Sequence, residues 1–229
     1  MTDYNSLRYA LLNRWDSSHL DTIDRLLPLR AGQRVLEVGC GAGHLTNRLT
    51  ERGIDMVGVD ANPNASAISG SDRVVTMRAE ALDFEDHSFD AVVSVHAIEH
   101  IPSLASAMAD MARVLKPGGR ALFVYPAEPV KGLYAIPTSV VLHHHPFKAR
   151  EVHCHRLWPS KVRRMVEPLG WVETHHEFDL LKTPQFVSRF TATGMGPRDF
   201  DCLRHGHEQG IASRRSAAYL DPWIGARTR

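Results

Sequence analysis

Short apolar runs and amphipathic stretches take turns along this chain. Residues 34–38 and 55–60 are mostly apolar stretches of strand length, each bounded by turn residues. Such runs predict buried strands. A helix-compatible segment over 43–52 separates them and closes at Gly53. The same alternation continues with a short strand over 73–78, a strand over 89–95, and a helix from Ser103 to Leu115 behind Pro102. Lys116-Pro117-Gly118-Gly119 reads as a tight turn into a fifth strand over 120–125. Beyond it, Pro159 opens a helix over 161–169 and Gly170 ends it. Residues 171–178 alternate as a strand, and 185–193 read as a last, antiparallel one. At the N-terminus, Leu7, Leu11, Leu12 and Trp15, then Leu20, Ile23, Leu26 and Leu27, fall at helical spacing and predict two short helices ending at Pro28. Strands alternating with helices predict an α/β fold, a mostly parallel sheet with helices on both faces.

Two stretches break the rhythm. Residues 126–157 are rich in proline and histidine with no clear period, and 197–229 are basic and rich in small residues. The 229 residues suit a single domain with additions. Its parts are a helical segment over 1–29, a core over 30–125, an insertion over 126–157, and a helix, strands and tail over 158–229.

Composition narrows the class. A hydrophobic content of 43% and a charged content of 23% are those of an ordinary globular protein. No apolar run is long enough to span a bilayer. The first residues lack the basic and apolar segments of a secretory signal. Cys40, Cys154 and Cys202 are odd in number and far apart, so they predict no disulfide framework and a reducing, cytoplasmic setting. Net charge is +1, but unevenly spread. Residues 1–130 carry 12 Lys and Arg against 17 Asp and Glu, and residues 131–229 carry 15 against 9. The second half also holds most of the histidines, which bears on the ligand it is expected to meet.

The densest chemical signal is Val35-Leu-Glu-Val-Gly-Cys-Gly-Ala-Gly-His-Leu-Thr46. A strand that feeds a glycine loop is a place to bind a nucleotide-like cofactor. Gly39, Gly41 and Gly43 permit a sharp turn and close backbone approach. Glu37, two residues before the first glycine, would repel a pyrophosphate and attract an amino group. That argues against a nicotinamide dinucleotide. Asp60 ends the second strand, where a carboxylate can accept hydrogen bonds from both ribose hydroxyls.

With these residues the chain resembles a class I S-adenosylmethionine-dependent methyltransferase of the small-molecule type. Four blocks match in order: residues 35–46, 58–63, 85–102 and 113–124. The resemblance implies a Rossmann-like, seven-stranded sheet and S-adenosyl-L-methionine as cofactor. It implies an N-terminal helical cap over the cofactor and a substrate-covering insertion after the fifth strand. Cofactor contacts are then expected from Glu37, Gly39, Gly41, Gly43, His44, Asp60, Ala61 and His96. Ala79, Glu80 and Ala81 match the stretch around adenine. The family often places an Asp just before that Ala, and here the residue is Arg78.

Methyl transfer to a carboxylate or phosphonate oxygen needs cations to hold the acceptor, whereas a hydroxyl needs a base. His100, after the fourth strand, is the expected catalytic residue. Tyr9 on the cap, and His145, Lys148, Arg150, His153 and Arg156 on the insertion, are expected to bind substrate. Arg is suited to two-point recognition of a carboxylate or phosphonate. The favoured expectation is therefore O-methylation of a small anionic metabolite. The alternative is a neutral natural product or quinone precursor with a histidine base, and a non-catalytic cofactor-binding scaffold is the remote one. The spacing of His153, Cys154 and His155 does not match a structural zinc site, and no metal is expected. The basic tail lacks interleaved aromatics and a recognised nucleic-acid module, so nucleic acid is not an expected partner; no membrane partner is expected either, and the tail is open to an oligomer contact such as a homodimer's.

Overall fold

The computed structural model describes residues 18–127, 154–179 and 185–193. Tyr9, His145, Lys148, Arg150 and His153, the first predicted helix and the tail lie outside the described residues. The elements run α1 (Ser18–Leu26), β1 (Arg34–Val38), α2 (His44–Glu51), β2 (Asp55–Asp60), α3 (Ala65–Ser69), β3 (Val74–Thr76), β4 (Phe89–Val95) and a short 3-10 turn (Ile98–His100). They continue with α4 (Leu104–Val114), β5 (Leu115–Pro126), α5 (Pro159–Val166), a second 3-10 turn (Glu167–Leu169), β6 (Trp171–Asp179) and β7 (Gln185–Ala192).

The strands form one seven-stranded sheet in the order β3-β2-β1-β4-β5-β7-β6. β1 pairs in parallel with both β2 and β4, and β4 with β5. β7 runs antiparallel to β5 and β6, as expected of the last strand. Strand order reverses at β1, so the chain leaves β1 and β4 in opposite directions and opens a crevice at their carboxyl ends.

Side-chain alternation divides the core between the two faces. Val35, Ala91, Val93, Leu122 and Val124 pack with Ile23 and Leu26 of α1 and Leu45 and Leu49 of α2. Leu36, Val38, Val92, Phe123 and Tyr125 pack with Met108 and Met111 of α4 and Val162 and Val166 of α5. Glu37 shares the parity of Val35, so the pleat turns an acid toward α2.

Two boundaries differ from the sequence expectation. Lys116–Gly119 is not a turn ahead of the strand. Leu115 already pairs with Phe89, and the register then shifts through Gly118, whose φ is 75°. The stretch is a bulge inside β5. The helix expected over 161–169 tightens to a 3-10 turn at Glu167, because Pro168 has no N–H to continue an α-helix.

α1 is fastened across the sheet by polar contacts. Arg25 makes a two-point contact with Glu177 of β6 at 2.8 and 2.5 Å. Arg189 of β7 donates to the Leu26 carbonyl at 2.8 Å. No helix among the described residues is long and apolar enough to cross a membrane.

Candidate functional site

A cavity of ≈ 260 Å3 lies in the crevice at the carboxyl ends of β1, β2 and β4. Val38 and Gly39 close it from β1, Val59, Asp60, Ala61 and Asn62 from β2, and His96 and Ala97 from β4. Met77, Arg78, Ala79 and Glu80 form the wall beyond β3, and His100, Ile101 and Pro102 the wall after the 3-10 turn. Of the expected cofactor residues, Gly39, Asp60, Ala61, Ala79, Glu80 and His96 meet here, and so does His100.

Glycine-loop geometry explains the first wall. Gly39 has φ 78°, and its N–H donates to the Val59 carbonyl at 2.8 Å. A Cβ on it would lie 2.1 Å from the Cβ of Ala97, so the β1 and β4 ends meet only because residue 39 has none. Gly41, Gly43, His44 and Ala81 are not among the lining residues. Gly41 instead donates its N–H to Asp60 Oδ2 at 2.8 Å. Gly43 (φ 71°) is the N-cap of α2, where a Cβ would meet Val74 and Ser69. His44 is exposed at the first turn of α2, and Ala81 is exposed with its N–H on the Arg78 carbonyl at 3.1 Å.

Asp60 is braced to accept further hydrogen bonds. Its Oδ2 takes the Gly41 N–H and its Oδ1 the Asn62 N–H, both at 2.8 Å. A carboxylate has about four acceptor positions, so each oxygen retains one. Two hydroxyls on adjacent carbons fit that pair. Asn62 is itself buried and accepts the Asn64 N–H at 2.9 Å. Asn62 as a wall residue was not legible in the sequence.

Glu37 is buried below the loop and is not a lining residue. Its Oε2 accepts the Thr46 hydroxyl at 2.6 Å. Burial pushes its carboxyl up to about 7, against the opposing hydrogen bonds from Thr46. A cation brought beside it restores the carboxylate. Cys40, also buried, has its thiol pushed up by burial and is chemically quiet.

The opposite wall holds a compact polar group. His96 follows β4 with φ 50°, a left-handed conformation rare for a residue with a side chain. Its N–H is fixed to the Val124 carbonyl at 2.8 Å. Glu99 is 1% exposed, and its Oε1 lies 3.8 Å from both His96 Nδ1 and His100 Nε2. Glu99 Oε2 has no hydrogen-bond partner among the described residues. Residues 154–156 lie beside this wall. The Cys154 thiol donates to the His100 carbonyl at 3.5 Å, and the His155 N–H to that of Glu99 at 3.1 Å. His155 Nε2 lies 2.9 Å from the Ile101 carbonyl. Arg156 is exposed and does not line the cavity. Among the described residues no group of three or more His, Cys, Asp and Glu is placed to hold a metal.

Two residues that sequence reasoning passed over hold the Ala79–Glu80 wall. Asp110 of α4 is buried, and its Oδ2 accepts the Leu82 N–H at 3.2 Å. Arg113 donates to the Leu82 and Phe84 carbonyls at 2.6 and 2.7 Å. An acid three residues before an arginine inside an apolar helix was the available signal.

Known proteins match this architecture and its sequence. The family model described as a methyltransferase domain matches residues 8–179. An uncharacterised methyltransferase of Mycobacterium tuberculosis is 42% identical over 104 residues, 44% of this chain and 42% of the relative. The ubiquinone biosynthesis O-methyltransferase of Alkalilimnicola ehrlichii is 33% identical over 114 residues, 45% of this chain and 46% of the relative. The match thus spans less than half the length of either relative. The S-adenosylmethionine-dependent methyltransferase structure from Mesorhizobium loti superposes with a TM-score of 0.60 at 16% identity, covering 77% of this chain and 98% of that one.

Proposed function

Because the chain belongs to the methyltransferase-domain family, we propose that it transfers a methyl group from S-adenosylmethionine to a hydroxyl of a small ring metabolite of the quinone-precursor or natural-product kind. The cavity suits the cofactor. Asp60 offers two acceptor positions for the ribose hydroxyls, Gly39 leaves room for close approach, and Ala79 and Glu80 flank the place for adenine. Glu37, behind the loop, attracts the amino group electrostatically. When bound, the cofactor supplies an electrophilic methyl group on a positively charged sulfur. The protein's part is to align the acceptor, exclude water and take one proton. Alignment alone is worth roughly 7–11 kcal/mol of barrier.

The observation that carries the acceptor class is the pair of imidazoles in the cavity wall, His96 and His100, on either side of buried Glu99. A hydroxyl acceptor needs a base, and an imidazole beside a carboxylate is one suited to neutral pH. We assign the proton-accepting role to His100. Similarity to a ubiquinone biosynthesis O-methyltransferase supports the same acceptor. The anionic acceptor expected from the insertion has less support. Its cations lie outside the described residues, except Arg156, which does not line the cavity.

The test is formation of S-adenosylhomocysteine with S-adenosylmethionine and three probes: a catechol, a simple monophenol and an alkyl phosphonate. Turnover of the catechol, with the methyl found on oxygen by NMR, is the expected result. Turnover of the phosphonate alone would overturn the acceptor assignment.

A further inference from the structure

One contact chain reaches from the far edge of the sheet into the cavity wall. Gln185, the first residue of β7, is 6% exposed. Its Nε2 donates to Asp179 Oδ2, at the end of β6, at 2.9 Å. Its Oε1 lies 2.9 Å from His96 Nε2. The register makes the first contact local, because Asp179 and Gln185 are paired residues of β6 and β7. The second spans 89 positions in sequence.

The chemistry of these groups fixes a proton. An ionised carboxylate only accepts hydrogen bonds, so Asp179 compels the amide to present its NH2 group. The amide carbonyl then faces the imidazole and has only acceptor capacity. His96 Nε2 must therefore carry the hydrogen, and Nδ1 keeps the lone pair in the neutral ring. Backbone geometry holds the ring in place for this contact. The left-handed φ of 50° and the bond to Val124 set the direction of the Cα–Cβ bond. Among the described residues the ring meets His19 of α1, in edge contact at 5.5 Å between centroids, Glu99, and Gln185.

We infer that Asp179 and Gln185 are positioning residues that hold His96 as the Nε2–H tautomer, which makes His96 Nδ1 a second proton acceptor of the site. Where Nδ1 rather than His100 takes the single proton released, the ring becomes a cation 3.8 Å from Glu99 Oε1. The buried carboxylate, which has one oxygen without a hydrogen-bond partner among the described residues, is thereby compensated by charge. The catalytic meaning of this tautomer rests on the hydroxyl-acceptor reading above, whereas the tautomer itself does not.

Long-range 1H–15N correlation spectra of the full chain labelled at histidine read the tautomer directly, with no acceptor present. The His96 signals are identified by their loss in His96→Gln, at a pH where the ring is neutral. The expected wild-type pattern is a single Nε2–H tautomer. Gln185→Leu removes the acceptor, and Asp179→Asn lets the amide turn over; in each the single pattern is expected to give way to a mixture or to Nδ1–H. A wild-type Nδ1–H pattern overturns the inference, as does an unchanged Nε2–H pattern in both variants. Where one variant does not fold, the other decides whether the pair holds the tautomer, and a wild-type Nδ1–H pattern overturns the inference on its own. Failure of the methyl-transfer assay with a correct tautomer would count against the acceptor reading alone.

Discussion

Asp60 is the residue whose geometry best prepares it to receive a ligand. Both carboxylate oxygens are held by backbone N–H groups, so the side chain is ordered before anything binds. Preorganisation of this kind lowers the ordering cost of association. Hydrogen bonds to a charged group contribute about 1.5–3 kcal/mol. Asp60→Ala is therefore expected to weaken S-adenosylhomocysteine binding by roughly 10- to 150-fold, read by calorimetric titration. Gly39 is constrained by sterics. Gly39→Val is expected to lower stability well beyond the ~1–3 kcal/mol of backbone strain, because its Cβ falls on Ala97. Chemical denaturation checks it. For Glu37 the sign of the pH effect follows from its raised carboxyl. Between about 4.5 and about 7 the folded chain keeps a proton that the unfolded chain has released. The contribution of Glu37 to stability is thus full below the lower value and lost as pH rises through the upper one. Glu37→Gln is expected to flatten that fall in denaturation midpoints across the window. A cofactor amino group favours the carboxylate, so binding is expected to tighten as pH rises toward 7.

At the scale of elements, two helices hold the site from outside it. α4 carries Asp110 and Arg113, which fasten the 82–86 loop and through it the Ala79–Glu80 wall. Arg113→Ala leaves the buried Asp110 carboxylate without its cation. Loss of one partner of a buried pair costs about 3–5 kcal/mol, and the partial exposure of Arg113 places this variant near the lower end. Urea denaturation measures it. α1 is tied to β6 by Arg25 and Glu177, and this contact holds the Glu177 carboxyl down near 2. Its contribution is present above pH 4.5 and lost as pH falls through 2. Arg25 is exposed, so Arg25→Ala is expected to cost under about 1 kcal/mol.

Across the whole molecule, what was legible followed from period and spacing. The apolar runs over 34–38 and 89–95 are β1 and β4 as observed, because a buried parallel strand is apolar on both faces. The glycine loop and Asp60 were readable because each has a local geometric reason. Glu37 was legible as a charge, but its burial beneath the loop was not, since the pleat's direction depends on which helix covers that face. Residues 116–119 form a bulge where a turn is expected, because Pro-Gly-Gly has the same local chemistry in both. Gln185 and Asp179 had no sequence signal at all. Their link to His96 exists only because β7 inserts between β5 and β6 and brings position 185 beside position 96.

The most direct measurement is calorimetric titration of the wild-type chain and of Asp60→Ala with S-adenosylhomocysteine. Saturable one-to-one binding by the wild type, weakened at least tenfold in the variant while its thermal stability without ligand is kept, is the result expected of a cofactor cavity at the ends of β1, β2 and β4. No binding by the wild-type chain, or equal affinity in the two proteins, would contradict it.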